Sequence, residues 1–445
     1  VIDHTDQTLF SRVHQLGPGH CIHIASLQVF AGADGRVPTT QWYELLPEEV
    51  QGSFDDAADM FRQRFEDAVR QHLRADVAVG SCLSGGLDSS SIVCVMNRLL
   101  REQDASHLQM SFSACSTDKR IDERKWIDEV VKATGVQPHY VYPEVDKLFK
   151  ESPSITWHQD EPFGSTSTYA QWNVFRLAAE NGVKVMLDGQ GADEQLAGYH
   201  PYFGARFSAL LRAGRLLQLW KEIQQTKRAH GYSELRAMMY LADTLLPEII
   251  KQPLRAYAGR TYSKPSWLNL SMLNVEPTNP ITRSGAVMNS IRSMSMAQLT
   301  CNNLQMLLHW EDRSSMAHSV ESRVPFLDHR LVEFVVGLPD EYKLSEGVTK
   351  RVLRSAMSGI LPVPIRDRMD KIGFATPEEV WMRGPAADMF RKKMQHAVDV
   401  SNGILNAECF DMMEAVIGGK ERFTFMPWRA INFGEWIDTF SVKTR

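Results

Sequence analysis

The sequence predicts a doubly wound α/β fold, a parallel sheet with helices on both faces, followed by a helical C-terminal part. Strand-like and helix-like segments alternate between residues 77 and 187, two polar loops with glycines follow apolar runs, and the apolar periodicity beyond residue 203 is helical. Alternation of this kind is typical of a parallel sheet covered on both faces. A chain of 445 residues has room for two or three domains.

The elements are predicted in the following order. A Gly-Pro turn and an apolar alternation before residue 37 predict a hairpin fragment that is too short to fold alone, and a helical period predicts a helix over Ser53–Arg74. The alternating segments are then strand Val77–Leu83, helix Ser89–Leu100, strand Met110–Ala114, helix Glu123–Thr134, strand His139–Tyr142, helix Ala170–Asn181 and strand Lys184–Leu187. Helices are expected over Phe203–Leu246 and from Met296 to the end, with a loop at Tyr262–Thr282.

Composition limits the functional classes. The net charge of -5 and 23% charged residues give no polybasic surface, so nucleic acid is not an expected partner. The six cysteines include no C-x-x-C pair, which argues against a zinc site or a disulfide framework and favours a cytoplasmic location. The sequence has no apolar run of about 18 residues and no secretory signal, so we expect neither membrane insertion nor export by that route.

The loop after the first sheet strand is a candidate phosphate site. It reads Ser84-Gly85-Gly86-Leu87-Asp88-Ser89-Ser90 and leads into an apolar-faced helix. Two glycines allow a tight turn, and hydroxyls beside the amides of a helix N-terminus form an anion cradle. A carboxylate among these donors is expected to hold Mg²⁺ on phosphate oxygens. The alternative is a strand–helix turn with a capping Ser or Asp, while the missing GK[ST] ending disfavours a Walker-A loop.

The loop after the fourth strand reads Asp188-Gly189-Gln190-Gly191-Ala192-Asp193-Glu194. In a parallel sheet it lies beside the first loop, so Asp193 is expected to face Asp88 across a magnesium-bound triphosphate. A cap on the following helix is the alternative role for Asp193.

These strings resemble known proteins. The SGGLDSS loop is similar to the pyrophosphate loop of the N-type ATP pyrophosphatases, and "DGQGADEQLAGYH" and "EDRSSMAHSVESRVPFLDHRLVEF" resemble two asparagine-synthetase motifs. Further similar strings, "TKRVLRSAM" and "LPVPIRDRMDKIGFATPEEVW", extend the resemblance over residues 76–381. The resemblance implies an ATP-dependent ligase that adenylates a carboxylate, releases pyrophosphate and forms an amide. ATP and Mg²⁺ are the implied cofactors.

The resemblance also implies site residues. Lys371 matches the family lysine at the α-phosphate, where a cation stabilises developing negative charge. A surface lysine in a charged turn is the alternative, and Gln190 and Asp193 complete the implied catalytic set. The implied ATP-binding residues are Leu83, Ser84, Gly85, Gly86, Leu87, Asp88, Ser89, Ser90, Ala114, Asp188 and Gly189, with Asp88 and Asp193 as metal ligands.

Two groups in the second motif are expected to be structural. Asp312, Arg313, Glu321 and Arg323 are expected to form buried ion pairs that fix the helix beneath the site. Trp310 and Met316 are expected to be core residues. The acceptor pocket is expected to use scattered loop residues, such as those in Asp160–Thr168, which follow no transferable motif.

The sequence departs from the family at two points. The second loop of the family carries glutamate where this chain has Gln190, and an amide cannot act as a general base. Glutamine-dependent members begin with a cysteine nucleophile, whereas this chain begins with Val1, and Cys21 inside the hairpin cannot supply a free α-amino group. Residues 1–50 are therefore expected to be the remnant or tail of a glutaminase domain, whose missing part lies upstream or in another chain, and residues 51–445 the synthetase domain.

The expected reaction is conversion of aspartate to asparagine, with ammonia supplied directly or from glutamine. The same activation step with a sugar acid, a peptide closed into an isopeptide ring, or a β-amino acid closed to a lactam is the alternative. A nucleotide-sensing module without turnover is a third reading, which retention of Asp88, Asp193 and Lys371 disfavours. A homodimer is compatible with the resemblance.

Overall fold

A computed structural model describes residues 5–24, 37–246, 265–273, 288–370 and 376–443 of the chain. A central sheet, a helical shell and two small strand pairs make up these residues. The strands are β1 (His20–Cys21), β2 (Thr40–Gln41), β3 (Val79–Cys82), β4 (Met110–Ala114), β5 (Gln137–Val141), β6 (Val185–Leu187), β7 (Glu321–Arg323), β8 (Leu344–Ser345) and β9 (Val348–Thr349).

Helices surround the sheet and form most of the C-terminal part. The first nine are α1 (Phe54–His72), α2 (Leu87–Arg101), α3 (Arg124–Thr134), α4 (Val145–Gln159), α5 (Ser167–Glu180), α6 (Ala192–Gln195), α7 (Pro201–Arg212), α8 (Leu216–His230) and α9 (Glu234–Leu245). They are followed by α10 (Leu270–Leu273), α11 (Ile291–Ala297), α12 (Leu304–Met316), α13 (His329–Gly337), α14 (Asp340–Lys343), α15 (Arg351–Ala356), α16 (Val363–Arg366), α17 (Glu378–Arg383), α18 (Ala387–Val400), α19 (Glu408–Ile417) and α20 (Met426–Thr439). Short 3₁₀ turns at Ser106–Leu108 and Pro325–Leu327 and a π-helical turn at Gln298–Asn302 complete the list.

The central sheet has the strand order β5-β4-β3-β6-β7, and its neighbouring strands are parallel. The chain moves outward from β3 through β4 to β5, and then returns to the other side of β3 with β6 and β7. The order therefore reverses between β3 and β6. Ligands of open α/β sheets bind at such a switch point, beyond the carboxyl ends of the strands.

The two faces of the sheet pack against different helices, as the doubly wound prediction requires. On one face, Val185 and Leu187 of β6 join a core built from α1, α2 and α3. On the opposite face, Phe112 and Met186 pack against the α5 residue Phe175. Alternate residues of a strand point to opposite faces, so β6 is buried on both sides. The α/β fold class is confirmed.

The sequence patterns located the early elements well. The strand Met110–Ala114 has the predicted bounds, and α1 begins after Ser53, whose side chain forms a reciprocal capping box with Asp56. The region predicted as helical over residues 203–246 is three helices, α7, α8 and α9, separated by Gly214 and Gly231 in left-handed conformations. Glycine adopts positive φ without the Cβ penalty, so both breaks have a local cause.

Five elements differ from the predictions. One is the short helix α10, which lies within the predicted loop Tyr262–Thr282, and residues 262–264 and 274–282 of that loop are outside the described residues. The helix α4 was not predicted, in a segment that contains Pro153 within the helix itself. The strand β7 and the antiparallel pair β8–β9 interrupt the C-terminal part, which was expected to be helical throughout. These strands are two or three residues long, and segments so short carry no periodicity that separates strand from helix.

The remaining helices form two further apolar clusters. One cluster packs α7, α8, α9 and α11 together, and the other packs α4 and α5 against α17–α20. Near the N-terminus, β1 pairs antiparallel with β2, which lies beyond the hairpin predicted before residue 37; residues 25–36 are outside the described residues. Within the part of the chain that the structure describes, every helix is too short or too polar to cross a lipid bilayer.

Candidate active site

The loop between β3 and α2 is held in a tight turn. Gly85 has φ of 72°, and a Cβ at this position would lie 2.6 Å from the Cβ of Trp126. Both the backbone conformation and the close neighbour therefore require glycine. The carbonyl oxygen of Gly85 accepts a hydrogen bond from Arg368 at 3.0 Å, which fixes the turn from the other side.

Serine hydroxyls line this turn beside the start of α2. The Ser89 Oγ accepts a hydrogen bond from the Ser84 amide at 3.2 Å and lies 3.0 Å from the Ser84 Oγ. The buried Ser90 Oγ makes no hydrogen bond among the described residues, and no described side chain caps the helix at Gly86. A helix N-terminus with its first amides uncapped and hydroxyls beside them is suited to an anion. Hydroxyls and uncapped amides thus lie together at the loop for which the sequence predicts a phosphate cradle.

The second loop lies directly against the first. A Cβ on Gly189 would be 3.3 Å from the Cβ of Asp88, so the two loops touch where β3 and β6 are neighbours. Asp193 lies in the short helix α6 that ends this loop. The structure therefore brings the two predicted metal ligands together at the switch point of the sheet.

A lysine lies between the two carboxylates. The ammonium of Lys350 forms ion pairs with Asp88 and with Asp193, the second at 2.7 Å. The Lys350 side chain is 7% exposed. Burial lowers its pKa, but the charges of Asp193 and Asp88 outweigh burial and leave the pKa raised. Both carboxylates therefore converge on one cationic nitrogen.

Gly198 makes room for this arrangement. A Cβ at position 198 would lie 1.8 Å from the Asp193 Oδ1 and 2.6 Å from the Lys350 Cε. Any larger residue would displace the carboxylate or the lysine stem. Close packing against Asp193 and Lys350 therefore explains why position 198, in the "AGYH" string, is glycine.

Gln190 lies beside a buried acidic pair. The Ser322 hydroxyl donates to one oxygen of Glu311, and the other oxygen has no hydrogen-bond partner among the described residues. Burial, reinforced by the charge of Asp188, raises the pKa of Glu311 well above its usual value, and burial likewise raises the pKa of Asp188. The amide at position 190 is therefore near a carboxyl group that favours its neutral form, and it lowers the pKa of that group.

Lys371 lies outside the described residues, so its predicted role stays a prediction. The residues just before it are anchored to the site. Arg368 forms ion pairs with Glu123 at 2.7 Å and with Asp370 at 3.1 Å, and its guanidinium lies 4.7 Å from the centroid of the Trp126 ring. Since Arg368 also holds the Gly85 carbonyl, the segment that leads to Lys371 is tied to the phosphate loop.

A cavity of about 370 Å³ joins these groups. It is lined by the predicted residues Leu83, Ser84, Gly86, Leu87, Asp88, Ser89, Ala114, Asp188, Gly189, Gln190 and Asp193. Gly85 and Ser90 lie behind this lining, in the turn and in the helix. The cavity also contains residues to which the sequence analysis gave no role, among them Lys350, Arg354, Arg368 and Glu123. Lys350 and Arg354 lie in the "TKRVLRSAM" string, and that similarity was the available signal.

The predicted buried ion pairs of the second motif are wrong. Asp312 is exposed, Arg313 pairs with Asp160 with both side chains 46% exposed, and Glu321 pairs with Arg323 within β7 with the glutamate 58% exposed. Arg323 donates instead to the backbone carbonyls of residues 72 and 74 at 2.7 and 2.8 Å. The buried acid of α12 is Glu311, which shares the buried side of the helix with Ser314 and Ser315, while positions 312 and 313 are exposed.

Trp310, just before that motif, and Met316, within it, differ in burial. Met316 is 55% exposed, so its assignment to the core is wrong. Trp310 is half-buried, packs against the α4–α20 cluster and lines the cavity. Its ring lies against Gly164, where a Cβ would be 2.9 Å from the indole.

Comparisons with known proteins agree with these motifs. The family whose model matches the chain is described as asparagine synthase, over residues 60–438. The chain is 28% identical to asparagine synthetase (glutamine-hydrolyzing) 1 of Bacillus subtilis, covering 96% of this chain and 66% of that protein. It is 27% identical to a putative asparagine synthetase (glutamine-hydrolyzing) of Mycobacterium bovis, covering 72% and 48%, and 24% identical to amidase chry2 of Gibberella zeae, covering 89% and 62%. The chain thus spans between about half and two thirds of the length of these curated relatives.

Proposed function

The chain belongs to the asparagine synthase family, and we propose that it is an ATP-dependent ligase that adenylates a carboxylate and transfers a nitrogen nucleophile to it. The observation that carries the proposal is that Asp88 and Asp193 both pair with the ammonium of Lys350 beside the uncapped N-terminus of α2. A site of this charge and shape suits a magnesium-bound triphosphate. In the cell we place the protein in the cytoplasm, in keeping with its free cysteines.

The residues present fit both ATP and magnesium. The Ser84–Ser90 loop supplies hydroxyls and backbone amides to phosphate oxygens, and Asp88 and Asp193 are the residues that would hold Mg²⁺. Magnesium in proteins is commonly bound by one or two carboxylates together with substrate phosphates, and both carboxylates already lie against a single cationic nitrogen. When bound, the metal neutralises phosphate charge and orients the leaving pyrophosphate.

The proposed reaction has two steps. An acceptor carboxylate oxygen attacks the α-phosphorus, the bond from that phosphorus to the bridging oxygen breaks, and pyrophosphate leaves. An amine then attacks the acyl carbon, the bond to AMP breaks, and the amine loses a proton. Lys350, together with Lys371 as the resemblance implies, would stabilise negative charge on the leaving pyrophosphate and the reacting carbonyl. Gln190 would hydrogen-bond the incoming amine or the acceptor, since an amide cannot take its proton.

The acceptor and the nitrogen source are the finer parts of the proposal. By family, we propose aspartate as the acceptor and ammonia as the nucleophile, drawn from glutamine when a glutaminase domain or chain is present. We assign residues 1–50 to the tail of such a domain. An acceptor other than aspartate is the second candidate, favoured by Gln190 in place of the family glutamate.

The direct test is release of pyrophosphate. The protein is incubated with ATP, Mg²⁺ and ammonium chloride, with and without aspartate or another carboxylate, and pyrophosphate and AMP are measured together. Equal amounts of both products, formed only when a carboxylate is present, are the expected result. Release of inorganic phosphate and ADP instead, or ATP binding without turnover for every carboxylate, would refute the ligase assignment. Replacing ammonium by glutamine tests the nitrogen source separately.

The ion pair between Glu123 and Arg368 predicts a pH dependence of ATP affinity. Burial raises the pKa of Glu123 to about 7, against the opposing charge of Arg368. Above pH 7 the carboxylate is charged and holds Arg368 on the Gly85 carbonyl, whereas below pH 7 protonation weakens this contact. ATP affinity is therefore expected to fall on acidification, by at most about tenfold per pH unit below 7.

This dependence is measured with a fluorescent ATP analogue titrated between pH 6 and 8.5. The Glu123→Gln variant should bind more weakly at pH 8 and show a flatter profile. Glu151→Gln, which removes a glutamate paired with Arg176 outside the cavity lining, is the matched control. If ATP affinity depends on pH in Glu123→Gln as it does in the wild type, the Glu123–Arg368 ion pair does not position the phosphate loop.

A further inference from the structure

A second cavity, of about 270 Å³, lies beside the nucleotide cavity and is called the side cavity. Ser167, at the start of α5, lines both cavities. Ile121 from the loop beyond β4, Val380 of α17, and Phe423 and Phe425 before α20 form its apolar lining. A group in the side cavity would therefore be adjacent to a molecule in the nucleotide cavity.

The side cavity exposes large apolar side chains. Phe425 is 44% exposed and Val380 is 36% exposed, and the rings of Phe423 and Phe425 meet edge to face with centroids 5.2 Å apart. Apolar concave surfaces with a few polar groups are the usual form of a small-molecule site. The aromatic pair offers an apolar ligand a surface that water covers poorly.

The walls of the side cavity are fixed by a buried glutamate. The carboxylate of Glu378 in α17 accepts hydrogen bonds from the Thr166 amide at 3.0 Å and from the Thr166 hydroxyl at 2.8 Å. The Ser165 and Ser167 hydroxyls are 2.5 Å apart on the same turn. The loop that contains Ser167 and the helix that contains Val380 are thus held together before any ligand binds, which lowers the entropic cost of binding.

The acidic groups of the side cavity are already paired with arginines. Asp118 accepts hydrogen bonds from Arg120 at 2.8 to 3.2 Å, and Glu379 forms an ion pair with Arg383 at 2.7 Å. Each of these acids is neutralised by its arginine partner, so it adds little attraction for a charged ligand. The apolar surface, rather than charge, is the main source of selectivity in this cavity.

We propose that the side cavity is an acceptor subsite that receives an aromatic or branched aliphatic group located next to the carboxylate to be activated. This inference rests on the proposed ligase function, because it needs the acceptor carboxylate to enter the nucleotide cavity past Ser167. Free aspartate carries no apolar group to fill the side cavity, and a sugar acid would leave its hydroxyls against phenylalanine rings. The side cavity therefore favours the second candidate of the proposed function, an acceptor other than free aspartate: a peptide or modified amino acid with an apolar neighbour beside its carboxylate.

Binding is tested first without turnover. Saturation-transfer difference NMR is recorded with N-acetyl-L-phenylalaninamide and, in parallel, with N-acetylglycinamide. Saturation of the phenyl protons by the wild-type protein, with a signal at least about fivefold weaker in Phe425→Ala, is the expected result. Leu217→Ala is the matched control, since it removes an 82% exposed leucine from α8 and should bind like the wild type. No phenyl signal in the wild type, or an undiminished signal in Phe425→Ala, overturns the proposal.

Turnover separates this inference from the ligase assignment. Pyrophosphate release is compared for N-acetyl-Asp-Phe-amide, N-acetyl-Asp-Gly-amide and free aspartate. The inference predicts kcat/KM at least about tenfold higher for the Phe peptide than for the Gly peptide, and a smaller ratio in Phe425→Ala. Equal values for all three acceptors overturn the subsite while leaving the ligase intact. Phenyl binding without pyrophosphate release from any carboxylate overturns the ligase assignment, and with it the role of the cavity as an acceptor subsite.

Discussion

Replacing Lys350 by methionine is expected to abolish pyrophosphate release and to lower the free energy of unfolding by about 3–5 kcal/mol. The variant leaves Asp88 and Asp193 facing each other with no ammonium between them, in a site where the lysine is 7% exposed. Breaking a buried ion pair by removing one partner costs more than the pair contributes, because the remaining charges stay desolvated. Urea unfolding and pyrophosphate release measure the two effects.

Lys343→Met is the matched control. Lys343 is fully buried, but its ammonium donates to the Val336 carbonyl at 3.4 Å and forms no ion pair with a carboxylate of the described residues. Burial lowers its pKa to about 8. Charging this lysine is therefore unfavourable in the folded state, and methionine is expected to leave stability at pH 7 unchanged or to increase it. Equal losses in Lys343→Met and Lys350→Met would mean that chain packing, not the carboxylate pair, explains the effect.

The two lysines should also differ in their dependence on pH. The pKa of Lys350 is raised above its usual value of 10.5, so its contribution to stability is present at neutral pH and is lost only as pH rises through that raised value. Between pH 8 and 10.5, Lys343 is more protonated in the unfolded chain than in the folded protein. Its contribution to the free energy of unfolding of the wild type therefore increases with pH over that range. Lys343→Met should lose this pH-dependent increase in the free energy of unfolding, and Lys350→Met should keep it.

Local patterns predicted the parts of the site that are continuous in sequence. The Ser84–Ser90 loop and the loop at residues 188–194 follow apolar strands, and two neighbouring parallel strands place their carboxyl ends together. The contact between Gly189 and Asp88 follows from that arrangement. In each loop the apolar strand, the glycines and the polar residues are contiguous in the chain, so the loop can be recognised without knowledge of the fold.

The site residues that the sequence patterns did not predict come from segments far along the chain from the two loops. Lys350 is 262 residues from Asp88 and lies in a charged run after the short pair β8–β9, which has no periodic signal. Glu311 and Arg313 are two positions apart on one helix, and which of them is buried depends on the rotation of α12 against its neighbours. Tertiary packing decides both questions. The role of Lys371 was inferred from resemblance, and it stays a prediction.

Asp88→Ala is expected to reduce pyrophosphate release to about 1% of wild type or less while the protein remains folded. Removing one preorganised electrostatic group costs about 10²–10³ in rate, and Asp88 has a second proposed role as a metal ligand. The fold is expected to survive because Lys350 keeps its ion pair with Asp193 at 2.7 Å, so that one cation and one anion remain. The loss of stability should therefore be smaller than in Lys350→Met.

The control separates stability from catalysis. Asp56→Ala removes a carboxylate from the capping box of α1 and is expected to cost about 1 kcal/mol of stability without changing turnover. Circular dichroism, urea unfolding and a magnesium titration of pyrophosphate release are compared for the two variants. If Asp88→Ala releases pyrophosphate at the wild-type rate and with the wild-type magnesium requirement, the convergence of the two loops on Lys350 is a structural ion pair rather than a metal and triphosphate site. A folded Asp88→Ala protein that binds ATP weakly and does not turn over would instead assign the carboxylate to holding the metal and triphosphate, because Lys350 and Asp193 alone suffice to hold the loops together.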